Sequence, residues 1–313
     1  MSGLAGTTLE VDVVEVIDGD TIKIHLNGEE ENLRILALDT EESQDGLNKP
    51  HTPLGDEAKN EVQSFIEAGS TITIEFPGSE TLETCLERYR GNFGRPLVYV
   101  HKDGEDFQER MIRKGYSPYF TKYGYANFEE YHRRYKEAER QAQADNIGVW
   151  NQLEANGQVM RDYSTLCTWW ELRAEVVETY RKAKQEEVEN LLDSRLDYHE
   201  LTNMVGQEAI VFTELRSYRR THGGEHAIVT IGSESQPFKL FIRNAFASEV
   251  GQRILSLLEK RYVPSGSDGR TVESPRRSYA YIAGEIELYP EETGEPEIEV
   301  TSINQIMDEP PTQ

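Results

Sequence analysis

Two segments of the chain could do chemistry: Val14 to Ile24, VEVIDGDTIKI, and Arg34 to Glu42, RILALDTEE. In both, apolar residues recur at strand spacing. Val16, Ile22, Ile24, Ile35, Leu36 and Leu38 read as core-facing, which leaves Asp18, Asp20, Arg34, Asp39 and Glu42 at strand ends. Hard carboxylate oxygens gathered at one rim suit a hard divalent cation such as calcium or magnesium.

The elements that must hold these residues are short strands with helices between them. Residues 11 to 50 read as strands and hairpins. Asp56 to Ala68 reads as a helix, with Ala58, Val62, Phe65 and Ile66 at helical spacing and Gly69 as a stop. Strands follow at Thr71 to Phe76 and Leu97 to His101, then helices at Phe107 to Lys114 and from about Phe128 to Asp145. Asn146 to Trp150 closes the region, with Trp150 read as a core plug. His51 and His132 are lone histidines and read as surface residues.

This run resembles the staphylococcal nuclease (thermonuclease) family over roughly the first half of the chain. The resemblance continues, in the family's order, through GNFGRPLVYV (Gly91 to Val100), ERMIRKGYSP (Glu109 to Pro118) and AERQAQADNIGVW (Ala138 to Trp150). Several ordered matches are more specific than one short motif. The resemblance implies an α+β fold: a five-stranded OB-type barrel with three helices. It also implies a metal-dependent endonuclease that breaks the bond to the 5′ oxygen and leaves 3′-phosphate ends. Asp20 and Asp39 match the metal-binding carboxylates, and Thr40 lends a backbone carbonyl. Glu42 matches the residue that handles the attacking water, and Arg34 and Arg95 the arginines that grip phosphate. Calcium is the metal the family implies first, with magnesium or manganese as alternatives.

Phosphodiester hydrolysis has use for such a set. Attack on phosphorus builds charge on the equatorial oxygens, so a metal and two guanidiniums aimed at them favour the transition state. Arginine suits the task because its planar fork can hold two oxygens and stays charged. The plainer reading is that acidic turn residues follow strands in any barrel and that Asp-Gly is an ordinary turn dipeptide. That reading suits Asp18, taken as a turn or supporting residue.

The chain departs from the family pattern at three places. Glu41 stands where the family has a proline after the DT dipeptide, which predicts a less rigid loop before Glu42. Asn92 and Phe93 stand where the family often has a lysine and a tyrosine. The family's pocket tyrosines are only loosely matched by Tyr119, Tyr123 and Tyr125; for these, loop packing and base stacking are both open.

From about Val159 to Asn203 the pattern turns helical, with Leu172, Val176, Tyr180 and Ala183 at helical spacing and Trp169 and Trp170 read as packing residues. From Gly206 to Met307 strands return: three, then a helix near Phe246 to Arg261, then two. That is the order of an OB fold, a barrel that commonly binds single strands. Basic and aromatic residues cluster at Arg216, Tyr218, Arg219, Arg220 and His222, and again at Arg276, Arg277, Tyr279 and Tyr281. The organisation expected is therefore a nuclease-like domain at 9–152, a helical connector at 159–203 and an OB-like domain at 206–307. Single-stranded DNA or RNA is the expected partner, with Phe93, Tyr119, Tyr123 and the second barrel's Arg216, Tyr218, Arg219, Arg220, Arg277 and Tyr279 as contacts. A protein partner for the second barrel, or a non-catalytic scaffold built on a nuclease-like domain, are the competing readings.

Composition bounds these expectations. A formal charge of −24 works against indiscriminate phosphate binding, so any nucleic-acid track must be local. Arg88, Arg90, Arg95, Arg110, Arg113, Lys114 and Lys122 are the candidates for such a strip. An acidic surface adapted to high salt is another reading of the same charge. Cys85 and Cys167 are the only cysteines and lack metal-ligand spacing, which predicts reduced thiols and a cytoplasmic setting. No segment has the character of an export signal or a membrane span.

Overall fold

The computed structural model describes residues 4–45, 50–151, 161–233, 236–263, 277–290 and 294–311. The expected boundaries at 152 and 159, and Arg276, fall outside the described residues. The chain divides into two compact units. One comprises 1–91 and 95–174; the other comprises 92–94 and 175–313.

In the first unit, β1 (Thr8–Asp18), β2 (Thr21–Leu26) and β3 (Glu29–Ile35) form a meander. After α1 (Pro53–Phe65) come β4 (Thr71–Glu75), α2 (Leu82–Arg88), β5 (Leu97–Lys102), β6 (Glu105–Asp106), α3 (Phe107–Arg113) and α4 (Glu129–Ala144). The sheet order is β3-β2-β1-β4-β5-β6, and a parallel pairing of β3 with β5 closes the barrel. Alternation drives this closure. Val11, Val13, Val16, Ile22, Ile24, Leu33, Ile35, Ile72, Ile74, Val98 and Val100 all point inward and are buried. The expected five-stranded barrel is therefore present, and α2 is an additional helix that no sequence pattern announced.

Thr52 caps α1 through its side chain, which accepts from the Gly55 backbone N–H at 3.1 Å, and Pro53 takes the first helical turn. Ala58 and Val62 then seat the helix on the barrel. The helix starts three residues earlier than its apolar spacing indicated. In α4, Tyr131, Tyr135, Ala138 and Ala142 form the buried stripe.

The unit boundary falls inside α5 (Tyr163–Gln185), between Ala174 and Glu175. The segment expected as a helical connector at 159–203 is thus shared out between the two units. Tyr163 and Trp170 join Leu54 and Val149 in a core of the first unit. Val177, Tyr180 and Ala183 join Leu191, Phe212, Tyr279 and Tyr281 in a core of the second. Leu172 is 58% exposed, so the buried stripe runs through Ala174, Val177 and Tyr180. Val149, not Trp150, is the fully buried residue of the closing turn.

The second unit contains β7 (Leu191–Asp193), α6 (Tyr198–Asn203), β8 (Glu208–Glu214), β9 (Tyr218–Arg220), β10 (Ala227–Thr230), β11 (Lys239–Ile242) and α7 (Glu249–Leu257). It ends with β12 (Tyr279–Glu285), β13 (Glu287–Tyr289), β14 (Glu295–Glu299) and β15 (Ile306–Met307). The sheets run β13-β14-β11-β10-β9 and β15-β12-β8-β7. If β8 with β9, and β12 with β13, are each taken as one bent strand, the pairings follow the first barrel: β8 with β12, β10 with β11, and β11 parallel to β14. Strand β7 pairs in parallel with β8, so the expected connector ends inside this sheet.

Cys85 and Cys167 are both free thiols. Among the described residues, no helix is long and apolar enough to cross a membrane.

Candidate active site

The register of the barrel explains why the charged residues meet. In the β1–β2 pairing the register slips between Val16 and Asp18, a bulge at the strand end that carries the Asp18-Gly19-Asp20 turn. Arg34 pairs with Leu97 across the parallel closure, and its backbone N–H donates to the Pro96 carbonyl at 2.9 Å. Arg95 is the next residue back along the chain. Closure of the barrel therefore brings two guanidiniums to one rim.

Beyond β3 the chain turns sharply at Ala37, whose φ of 62° is a left-handed conformation rarely taken by alanine. This turn points Leu38 into the core and sends Asp39 and Thr40 back over the rim. The Asp39 N–H donates to Ser117 Oγ at 2.9 Å, which fixes its backbone. Gly19 is required here. A β-carbon at Gly19 would lie 2.7 Å from the Thr40 side chain, so only glycine lets the two loops pack.

Arg34 is the hinge of the site. Its guanidinium forms an ion pair with Asp20, reaches Asp39 Oδ1 at 3.5 Å and donates to the Leu38 carbonyl at 3.0 Å. Asp20 and Asp39 are both buried and both turned to this one cation. Burial alone would lower the Arg34 pKa, but the two carboxylates outweigh it and hold the group above its ordinary value. Burial, and then the charge of Arg34, hold the Arg95 pKa below its ordinary value. Arg95 Nη1 approaches Thr21 Oγ1 at 3.5 Å. Two cations held together in this way favour an anion between them.

Glu42 is held by its backbone. Its carbonyl accepts from the Thr52 N–H at 3.0 Å, and a β-carbon at Gly55 would sit 2.0 Å from that oxygen. Its side chain pairs with Asp18, whose carboxyl burial pushes up to about 6, helped by the neighbouring Asp20 and Glu42. Asp18 also accepts from the Gly19 and Ser43 backbone N–H groups, at 2.8 and 3.4 Å. These bonds are those of a turn residue that supports the site.

Glu41 does not loosen the loop as its departure from proline suggests. It is 3% exposed, accepts from Tyr163 Oη at 2.5 Å and accepts from Arg161 Nε at 3.1 Å. Arg161 then continues along the loop, donating from Nη2 to the Thr40 carbonyl at 2.8 Å and from Nη1 to Asp39 Oδ2 at 2.5 Å. Sequence reasoning missed both Arg161 and Tyr163. Their role depends on the fold returning residue 161 to residue 39, and no local pattern encodes that.

The donor set of Asp20, Asp39 and the Thr40 carbonyl is all hard oxygen and fits a divalent cation in its chemistry. Among the described residues, however, no three His, Cys, Asp or Glu side chains are grouped as a metal needs. The Asp39 and Thr40 oxygens face guanidiniums instead.

The other expected contacts are less uniform. Tyr123 is 44% exposed, beside Lys122 and within the electrostatic reach of Arg34 and Arg95, and Phe93 is 70% exposed. Tyr119 is buried, with its hydroxyl on His132 Nδ1, so it packs the loop and is not a stacking surface. His132 is accordingly part of an aromatic cluster with Tyr119 and Tyr125, not a lone surface residue. His51 is exposed beside Asp56. The positive strip is largely neutralised. Arg88 pairs with Glu80, Arg90 with Glu31, Arg110 and Lys114 with Glu61, and Arg113 with Glu109.

In the second unit, Tyr218 and Tyr279 are core residues. Tyr218 hydrogen-bonds Glu259, and Tyr279 stacks on Phe212 at 5.2 Å. Arg277 is tied to Asp308 and Glu309, and Arg216 to the Gly232 carbonyl and Glu214. Arg219 and Arg220 remain exposed, with Arg220 lying 3.4 Å over the Phe246 ring.

Comparison with known proteins agrees with this geometry. A family model described as staphylococcal nuclease homologue matches residues 32–152. The chain is 28% identical over 154 residues to the SPbeta prophage-derived endonuclease YokF of Bacillus subtilis, covering 48% of this chain and 46% of that protein. It is 28% identical over 146 residues to endonuclease YncB of the same organism, covering 46% of this chain and 62% of that protein. It thus spans about half the length of these curated relatives. To the thermonuclease of Staphylococcus hyicus it is 30% identical over 139 residues, 44% of this chain and 74% of that protein. With the carboxylates, the arginine pair and the barrel closure in place, the chain belongs to the staphylococcal nuclease family.

Proposed function

We propose that this protein is a divalent-metal-dependent nuclease whose first barrel hydrolyses phosphodiester bonds of DNA or RNA. The observation that carries the reading is the junction at Arg34, one guanidinium joined to Asp20 and Asp39 and set beside Arg95 by the β3–β5 register. Asp20, Asp39 and the Thr40 carbonyl are the oxygens suited to hold the metal. When bound, the metal supplies Lewis-acid polarisation of a phosphoryl oxygen.

The remaining work belongs to side chains. Arg34 and Arg95 bind the phosphate oxygens and match the charge that grows there as the bond order changes. Glu42 orients a water for in-line attack and takes its proton. Asp18, which hydrogen-bonds Glu42, helps keep that side chain in place. Tyr123 offers a ring face to an unstacked base. By family analogy the leaving group is the 5′ oxygen, with a 3′-phosphate product and endonucleolytic cutting. The second barrel, through Arg219, Arg220 and Phe246, binds single strands.

The test is digestion of plasmid and single-stranded substrates with calcium, magnesium, manganese or chelator, comparing wild type with Glu42→Gln and Arg95→Ala. Each variant is expected to lose about 10²-fold or more in rate with its melting curve retained. Unchanged rates would overturn the enzyme reading and leave a binding scaffold.

A further inference from the structure

We propose that Arg161 is a tethered counter-cation of the active-site rim, seated on the oxygens a divalent ion uses, so that the ion binds by displacing it. This inference rests on the nuclease reading of the same site and adds a residue that sets its cation requirement.

The geometry is specific. One guanidinium spans three consecutive residues of the rim loop. Nη1 meets Asp39 Oδ2 at 2.5 Å, Nη2 meets the Thr40 carbonyl at 2.8 Å and Nε meets Glu41 Oε1 at 3.1 Å. Two of these acceptors, the Asp39 carboxylate and the Thr40 carbonyl, belong to the metal donor set. A planar fork suits such an array, and one side chain meets it along its whole edge.

A departure from the family pattern meets a residue from outside the matched region here. Glu41 replaces the family's proline, and Arg161 lies beyond the residues 32–152 that match the family model. Glu41 is the anchor. It is buried, and it holds both the Arg161 Nε and the hydroxyl of Tyr163, over whose ring the Arg161 guanidinium lies at 4.9 Å. The carboxylates raise the Arg161 pKa despite its burial, so the group stays charged at any working pH. Tyr163 in turn is fixed in the core with Leu54, Val149 and Trp170. The arginine is thus presented to the rim by a rigid neighbour.

A resident monovalent cation has two consequences. It neutralises Asp39 and Glu41 when no metal is bound, which keeps buried carboxylates from repelling one another. It also makes an incoming divalent ion compete for Asp39 and Thr40, so the apparent affinity is lowered by the fraction of chains in which Arg161 is seated.

The test is calorimetric titration of the full chain with calcium alone, without nucleic acid, for wild type, Arg161→Gln, Arg161→Lys and Glu41→Gln. Arg161→Gln is expected to bind calcium at least tenfold more tightly, and Arg161→Lys to fall between it and wild type. Glu41→Gln separates displacement from simple charge. Removing a negative charge near the site weakens calcium binding by electrostatics alone, whereas release of the Arg161 anchor strengthens it, here by a few-fold. Melting curves give a second readout. Metal-free Arg161→Gln should melt below wild type and gain more from saturating calcium. Equal calcium affinities in wild type and Arg161→Gln, with metal-dependent cleavage intact, would overturn this inference alone. So would weaker binding by Glu41→Gln. Failure of every chain to bind calcium, magnesium or manganese and to cleave would remove the nuclease reading and this inference together.

Discussion

The first barrel and the sheets of the second unit share one connection, a parallel pairing of β3 with β5 and of β11 with β14, yet they set different residues at that seam. In the first, Arg34 lies opposite Leu97 with Arg95 just before it, and two carboxylates turn toward the pair. In the second, Lys239 lies opposite Glu297 and Phe241 opposite Glu299, and the nearby cations are spent on local acids. Arg243 takes both oxygens of Glu299, at 2.7 and 2.9 Å, and Lys239 pairs with Glu295. Shared topology thus fixes where a rim will be and leaves its chemistry to a few side chains.

The sharpest way to break this comparison is at Arg34. Arg34→Ala leaves Asp20 and Asp39 buried without their common partner, and cleavage should fall by about 10³-fold on any substrate. Single-turnover rates with saturating metal would measure it, and a loss below tenfold would mean the seam residues do not do the chemistry. In the second barrel, Arg219→Ala with Arg220→Ala should weaken single-strand binding about tenfold and flatten its salt dependence by one to two phosphate contacts. Fluorescence anisotropy across a salt series reads both quantities. An unchanged slope would remove the single-strand reading of this unit.

The smallest effect concerns stability of the first unit alone. Burial pushes the Glu139 carboxyl up to about 7, while it accepts from the Tyr119 N–H at 2.9 Å. A carboxyl whose folded pKa lies above its unfolded one binds an extra proton in the folded state. Its contribution is complete at low pH and is lost as pH rises to about 7. Glu139→Gln keeps an acceptor for Tyr119 and removes the titration. It should therefore stabilise by roughly 2 kcal/mol at pH 8 and by almost nothing at pH 4, as denaturant melts at the two values would show.

Much of this molecule was legible in the sequence where the information was local. Alternating valines and isoleucines announced the strands, and the DGD turn, the DT dipeptide and GR at Gly94-Arg95 marked the rim. What could not be read was pairing at long range. The supposed positive strip from Arg88 to Lys114 dissolves because Glu31, Glu61, Glu80 and Glu109 fold against it. Tyr218 and Tyr279 looked like stacking residues because an aromatic in a short strand fits either face, and only the packed core decides. Arg161 is the extreme case, more than a hundred residues from the acids it touches.

The seam between β3 and β5 also bears on how the protein is made. Arg34 is synthesised early, but its neighbour Arg95 arrives only as the fifth strand docks, and docking is what pairs Arg34 with the Pro96 carbonyl. Contacts between such distant parts of a chain form late, after their loop-closure entropy has been met. On the nuclease reading, the phosphate-gripping rim is therefore complete only when the barrel is, and a chain halted before residue 95 carries Asp20, Asp39 and Arg34 without Arg95.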